Sequence, residues 1–151
     1  MNILCIDTTG GACSAALMSD DRIHNKLTHS VHLMTLIDNC MKLSGLTIKQ
    51  MDAFGVTVGP GSFTGIRIGM CAIKGFCQLT DRPAIAIDTL DAIARGICCH
   101  NGIIEPIMDA RRGQVYTAIY REGKKLTGDD STSSVNEGNF VAENQTDFIF
   151  A

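Results

Sequence analysis

The chain has 151 residues, 45% of them hydrophobic and 19% charged, with 13 Lys+Arg against 16 Asp+Glu and a net charge of −3. This composition excludes wholesale disorder, and the length allows one domain, or one domain and part of a second, to bury roughly 70% of its unfolded surface. The mild acidity argues against a free-standing nucleic-acid binder, which carries a basic excess.

No run approaches the roughly 20 apolar residues that span a bilayer, so no membrane association is expected. The N-terminus MNILCIDTT has no basic region and meets Asp7 at once, which reads as a strand rather than a signal peptide and predicts a cytoplasmic protein. The seven cysteines, Cys5, Cys13, Cys40, Cys71, Cys77, Cys98 and Cys99, are odd in number and form no CxxC pair. They read as reduced thiols acting as small hydrophobes.

Residues 2–8 form a short apolar run, read as a buried strand that ends in Asp-Thr-Thr-Gly-Gly. Residues 12–19 give a second strand, Asp20-Asp21 a tight turn, and the alternating residues 22–28 a third. Leu33, Leu36, Ile37, Cys40 and Leu43 recur at helical spacing, predicting a helix over 31–44 with Ser30 as N-cap and Gly45 as its stop. Met34 and Met41 widen its apolar arc to roughly 180°, beyond the ~100° that one core needs, and leave Met34, Ile37 and Met41 as surplus apolar surface.

A helical turn at Thr47–Met51 precedes a strand at 53–58, the loop GPGSFTG at 59–65 and a helix over 65–79. Residues 83–88 read as a strand and 89–99 as a helix, followed by strands at 103–109 and 114–121 around a turn at Ala110–Gly113. From 122 the chain turns polar and reads as loop, with one short strand available in its last stretch, FVAENQTDFIFA. The order, three strands followed by alternating helices and strands, implies an α/β mixed sheet with helices on its faces.

Two segments have the composition of anion sites. Gly59, Gly61 and Gly65 lie between a strand and a helix, where bare backbone N–H groups can hold a phosphate, although neither GxxxxGK[ST] nor GxGxxG is present. The alternative is a tight turn capped by Ser62 or Thr64. Asp7, Thr8 and Thr9 with Gly10, after the first strand, either place a magnesium-nucleotide phosphate or close a hairpin by capping backbone N–H groups. At the turn after Asp109, Arg111 and Arg112 either bind a phosphate or carboxylate or form a solvated hairpin tip. His24, His29, His32 and His100 are scattered and suggest no metal site.

On the helix at 65–79 the polar residues Arg67, Lys74 and Gln78 share one narrow stripe, and the rest is apolar or Gly. Gly65, Gly69, Ala72 and Phe76 make a small-residue face. A helix apolar nearly all round is covered on more than one side, so a helix-pair interface involving Gly69, Met70, Ile73 and Phe76, with Met34, Ile37 and Met41 of the earlier helix, is expected.

IDTTGGACSAAL (6–17), HSVHLMTLID (29–38), VGPGSFTGIRIGMCAIKG (58–75) and IMDARRGQVYTAIY (107–120) resemble the bacterial TsaB proteins, also called YeaZ. The resemblance implies the actin/Hsp70/sugar-kinase (ASKHA) fold, with an N-terminal βββαβαβα lobe over residues 1–100, the opening hairpin of a second lobe at 101–121, and a polar tail or shortened remainder at 122–151. It implies a non-catalytic subunit, with no catalytic residues of its own, that docks its relative TsaD through N-lobe helices. That complex forms threonylcarbamoyladenosine at position 37 of tRNAs reading codons that begin with A.

The ATPase TsaE is a further implied partner, a homodimer is implied for the chain alone, and tRNA is reached only through the complex. The catalytic relative carries a His-x-x-x-His metal pair whose positions here are Thr89 and Ile93. No cofactor is firmly implied; ATP and magnesium belong, if anywhere, to the partner complex. The competing expectation is an ASKHA-type ATPase or phosphotransferase using Asp7, Thr8, Thr9 and the Gly59–Gly65 loop with Gly61 and Ser62. A protease role ranks last, because no nucleophile–base pair stands out.

Overall fold

A computed structural model describes residues 1–19, 22–28, 33–97, 102–126 and 132–134. Asp20-Asp21, His29, Ser30, His32, Cys98, Cys99, His100 and the stretch FVAENQTDFIFA, all named above, lie outside the described residues. The chain falls into two compact units, Met1–Asp88 and Thr89–Ala151.

In the first unit β1 (Ile3–Asp7), β2 (Cys13–Ser19) and β3 (Arg22–Thr28) form an antiparallel meander. Helix α1 (Leu33–Ser44) and a 3-10 turn (Ile48–Gln50) lead to β4 (Ala53–Gly59), then α2 (Phe63–Thr80) and β5 (Ala84–Asp88). The sheet order is β3-β2-β1-β4-β5, with β4 parallel to β1 and β5 parallel to β4. α1 stops at Gly45, whose φ of 71° lies in the left-handed region that a side chain makes costly. α2 starts two residues earlier than the apolar pattern suggests, because Ser62 Oγ accepts from the Gly65 N–H at 3.2 Å and caps it there.

Strand alternation decides where the core sits. Leu4 and Ile6 lie between Leu17 and Ala15 on one side and Phe54 and Val56 on the other, all buried on one face of the sheet. On that face pack Leu33, Leu36, Ile37, Cys40 and Met41 of α1 and Ile73 of α2, and Phe76 of α2 brings its ring 5.7 Å from that of Phe54. The opposite face carries Ile3, Cys5 and Asp7, then Gly55 and Thr57, then Ile85 and Ile87, and receives neither α1 nor α2. A side chain on Gly55 would run into Cys5 Sγ and Ile87 Cδ1.

In the second unit α3 (Thr89–Arg95) contributes Leu90 and Ala94 to a small core with Ile104, Ala118 and Tyr120. The sequence groups this helix with the first lobe, whereas its apolar side packs within the second unit. The two expected strands each break in two, giving β6 (Ile103–Ile104), β7 (Ile107–Arg111), β8 (Gln114–Thr117) and β9 (Tyr120–Arg121). β7 pairs with β8 and β6 with β9, as one hairpin interrupted at Glu105–Pro106, where proline has no N–H to donate. The stretch read as loop also holds β10 (Lys124–Lys125), paired with β9, and β11 (Thr132–Ser134), paired with β8. Their polar residues give no apolar alternation for a sequence reading to detect.

Candidate functional site

Two features of the first unit concentrate the residues singled out above. The first is the junction of β1 with the loop before α2. Asp7 Oδ1 accepts three bonds: from the Thr9 N–H at 2.9 Å, Thr9 Oγ1 at 2.7 Å and Thr57 Oγ1 at 2.6 Å. Asp7 Oδ2 has no partner among the described residues. Thr8 and Thr9 are buried. Thr8 Oγ1 donates to the Gly65 carbonyl at 2.7 Å, and the Ser62 N–H donates to the Thr9 carbonyl at 2.7 Å.

A Cβ on Gly65 would overlap the Thr8 carbonyl oxygen, one on Gly69 would lie 2.5 Å from Thr8 Oγ1, and one on Gly61 would lie 2.6 Å from Thr9 Cβ. The small-residue face of α2 is therefore filled by the end of β1. The structure brings Asp7, Thr8, Thr9, Gly61 and Ser62 together, as the sequence suggests. It adds Thr57, which strand pairing alone delivers to Asp7. Two N–H groups of the loop, those of Ser62 and Gly65, are already used within the junction.

The second feature is the outer surface of the two helices. Of the seven residues expected to form an interface, Ile37, Met41, Gly69 and Ile73 are buried in the sheet-side core, and Met70 and Phe76 are half-buried against it. Ile73 is only 1% exposed, which makes it a core residue, and of the seven Met34 alone is open, at 58%. The exposed apolar residues are others: Leu43 on α1, and Ile68, Cys71 and Leu79 on α2, with Ile68 48% and Leu79 63% exposed.

At 100° per residue Ile68, Cys71, Gly75 and Leu79 form one seam along α2, bordered by the exposed ridge Arg67, Lys74 and Gln78. Phe63 is exposed too, with the Arg67 guanidinium 5.3 Å from its ring centroid. The sequence hides this choice of face, because a helix apolar nearly all round does not say which side meets the sheet. The glycines at 65 and 69 carry the missing signal: they mark the side of closest backbone approach, which is the inside.

Residues 23–137 match the profile of the family described as TsaD, tRNA N6-adenosine threonylcarbamoyltransferase. The TsaB protein of Bacillus subtilis is 35% identical over 127 residues, and that of Escherichia coli is 33% identical over 151. The chain belongs to the TsaB (YeaZ) family. The two alignments cover 80% and 95% of this chain but 56% and 65% of those proteins, so this TsaB-family chain spans about half to two thirds of the relatives' length.

Among solved structures, YeaZ from Pseudomonas aeruginosa superposes with a TM-score of 0.77 at 26% identity, over 87% of this chain and 68% of that one. The activator of 2-hydroxyisocaproyl-CoA dehydratase from Clostridium difficile, solved with ADPNP bound, shares the fold alone, with a TM-score of 0.54 at 16% identity over 84% of this chain and 44% of that one. The α/β actin-like (ASKHA) class expected from the sequence is the class observed.

In the TsaB-family chain Thr89 is buried, and its Oγ1 has no hydrogen-bond partner among the described residues. No three His, Cys, Asp or Glu side chains gather as a metal cluster among the described residues, and no described helix is long and apolar enough to cross a membrane.

Proposed function

We propose that this chain is a non-catalytic subunit that docks a TsaD-related transferase in forming threonylcarbamoyladenosine at position 37 of tRNAs reading codons that begin with A. Docking uses the exposed faces of α1 and α2, with the ATPase TsaE joining the assembly and a homodimer forming when the chain is alone. The observation that carries this reading is the uncovered seam Ile68–Cys71–Leu79 on α2, an apolar stripe at helical spacing that the chain's own sheet leaves open. Family membership supports it.

Light scattering after size exclusion tests it, on the chain alone and mixed with the TsaD of the same organism. A stable mixed complex is expected, and Ile68→Glu with Leu79→Glu should abolish it while the circular dichroism spectrum is unchanged. A chain that stays apart from TsaD, or a double variant that still binds in full, overturns the reading.

A second reading rests on Asp7, whose carboxylate is oriented by three donors to Oδ1 while Oδ2 stays outside those bonds. A carboxylate fixed in this way suits a magnesium-bound phosphate. Calorimetry with magnesium-ATP decides it: heat that Asp7→Ala removes supports a nucleotide site, and the absence of heat sinks it.

A further inference from the structure

We propose that β5 is a pairing edge that takes the β5 of a second copy of this chain, antiparallel and centred on Ile85. β5 ends one side of the sheet and, among the described residues, pairs with β4 alone. Edge strands are normally guarded by charge, proline or a bulge, because their free N–H and C=O groups invite another strand. The opposite edge follows that rule: β3 holds Arg22, His24 and Lys26 within seven residues. β5 instead reads Ala-Ile-Ala-Ile before it reaches Asp88, and Ala84, Ile85 and Ala86 are exposed.

The backbone of β5 has the phase that pairing needs. The Phe54 N–H donates to the Pro83 carbonyl at 3.0 Å, which turns residue 83 toward β4. Strand alternation then points the peptide groups of Ile85 and Ile87 at β4 as well, and those of Ala84 and Ala86 outward. Pro83 therefore lacks its N–H on the β4 side, and the outward row of donors is intact.

Charge selects the occupant and the register. Reversing β5 on itself about Ile85 sets Ala84 opposite the second copy's Ala86, so the outward groups meet as hydrogen-bonded pairs. The same register sets exposed Arg82 opposite half-buried Asp88 of the second copy, and Asp88 opposite Arg82, so both ends close on opposite charges. Sliding the copies by two residues keeps the hydrogen bonds in phase but parts those charges. At the centre Ile85, 44% exposed, meets its own copy on the sheet face that α1 and α2 leave open. α2 packs over β4. The two β4 strands would lie three strand spacings apart, about 14 Å, wider than the roughly 8–10 Å at which helices touch. The α2 seam stays free in this dimer, so the contact is separate from the docking surface proposed above.

The test is sedimentation equilibrium of the Ile68→Glu, Leu79→Glu chain, whose α2 seam is blocked. It is run up to about 500 µM, because an edge contact smaller than the roughly 1,200 Å² of stable interfaces is weak. A monomer–dimer equilibrium is expected. Ala86→Pro, which removes an outward N–H that β4 does not use, should raise its dissociation constant at least about tenfold, since each copy loses a donated bond. Cross-linking checks the register in a Cys71→Ser background. Ile85→Cys faces its own copy and should form a disulfide-linked dimer under mild oxidation, whereas Ala84→Cys, two positions out of step with its own copy, should not.

A blocked-seam chain that stays monomeric over the whole range overturns the proposal. So does association that Ala86→Pro leaves unchanged, or cross-linking at position 84 in place of 85. Mass that climbs past the dimer without a plateau overturns it too, because pairing about a two-fold axis closes at two copies. Mixing the Ala86→Pro chain with TsaD reports on the subunit reading separately: lost self-association with retained TsaD binding is the expected result, and loss of both overturns the separation of the two surfaces.

Discussion

Gly65 and Gly75 lie ten residues apart on α2 and should answer the same substitution in opposite ways. A methyl on Gly65 meets the Thr8 carbonyl oxygen, whereas one on Gly75 meets nothing within 4 Å. Gly65→Ala is expected to destabilise by about 3 kcal/mol or more, as backbone overlap cannot be relieved by a rotamer change. Gly75→Ala should stabilise by up to about 1 kcal/mol through helix propensity. Urea titrations of the two variants check both signs.

Cys5 gives a pH prediction at the same scale. Burial pushes its thiol above the usual range, and a backbone hydrogen bond from Gly55 only partly offsets this. A raised folded-state value means that the native state keeps its proton where the unfolded chain has lost it. Stability should therefore fall as pH rises past the ordinary thiol value of about 8.5, and be unaffected by this group below it. Melting temperatures of wild type and Cys5→Ala should diverge progressively above that pH, and parallel curves would refute the assignment. The Asp7–Thr57 bond was beyond a sequence reading for a plain reason: residues 50 positions apart meet only once β4 is known to lie beside β1.

Among elements, α2 shows how far hydrophobic pattern carries. Its existence, cap and polar stripe were legible, because Ser62, the apolar periodicity and the Arg67–Lys74–Gln78 ridge are local signals. Its inner face was not, because apolar residues surround most of the helix and only packing against Leu4, Ile6 and Val56 selects a side. Ile73→Ala tests that choice: a buried position should lose about 2–5 kcal/mol, whereas a surface residue would lose little. The hairpin of the second unit was legible as two strands but not as four, since Glu105–Pro106 interrupts a pairing that resumes at Ile104 and Tyr120. β10 and β11 were illegible because paired edge strands of Lys, Thr and Ser need no apolar alternation.

For the molecule as a whole, the meander followed by helix–strand units was readable because turns carry their own punctuation at Gly10-Gly11, Gly45 and Gly59–Gly61. The division after Asp88 was not readable, because Asp88 and Thr89 join strand to helix with no linker between them. The five-stranded sheet contains parallel strands, of the kind normally covered on both faces, yet α1 and α2 both lie on one. Ile85 on the other face is 44% exposed. A chain spanning about half to two thirds of its relatives' length thus builds a five-stranded sheet with a core packed on one side.

The bond from Thr8 to the Gly65 carbonyl joins positions 57 residues apart, and it has a consequence in time as well as in space. During synthesis the β1–β2–β3 meander emerges first and can pair locally, leaving the other edge of β1 open until β4 arrives. Only then can α2 be seated by its glycines over Thr8. Closing so long a loop before its contacts form slows folding. The rate-limiting event is thus expected to be the docking of β4 and α2 onto a preformed meander, and Gly65→Ala should slow refolding more than Ile73→Ala does for an equal loss of stability.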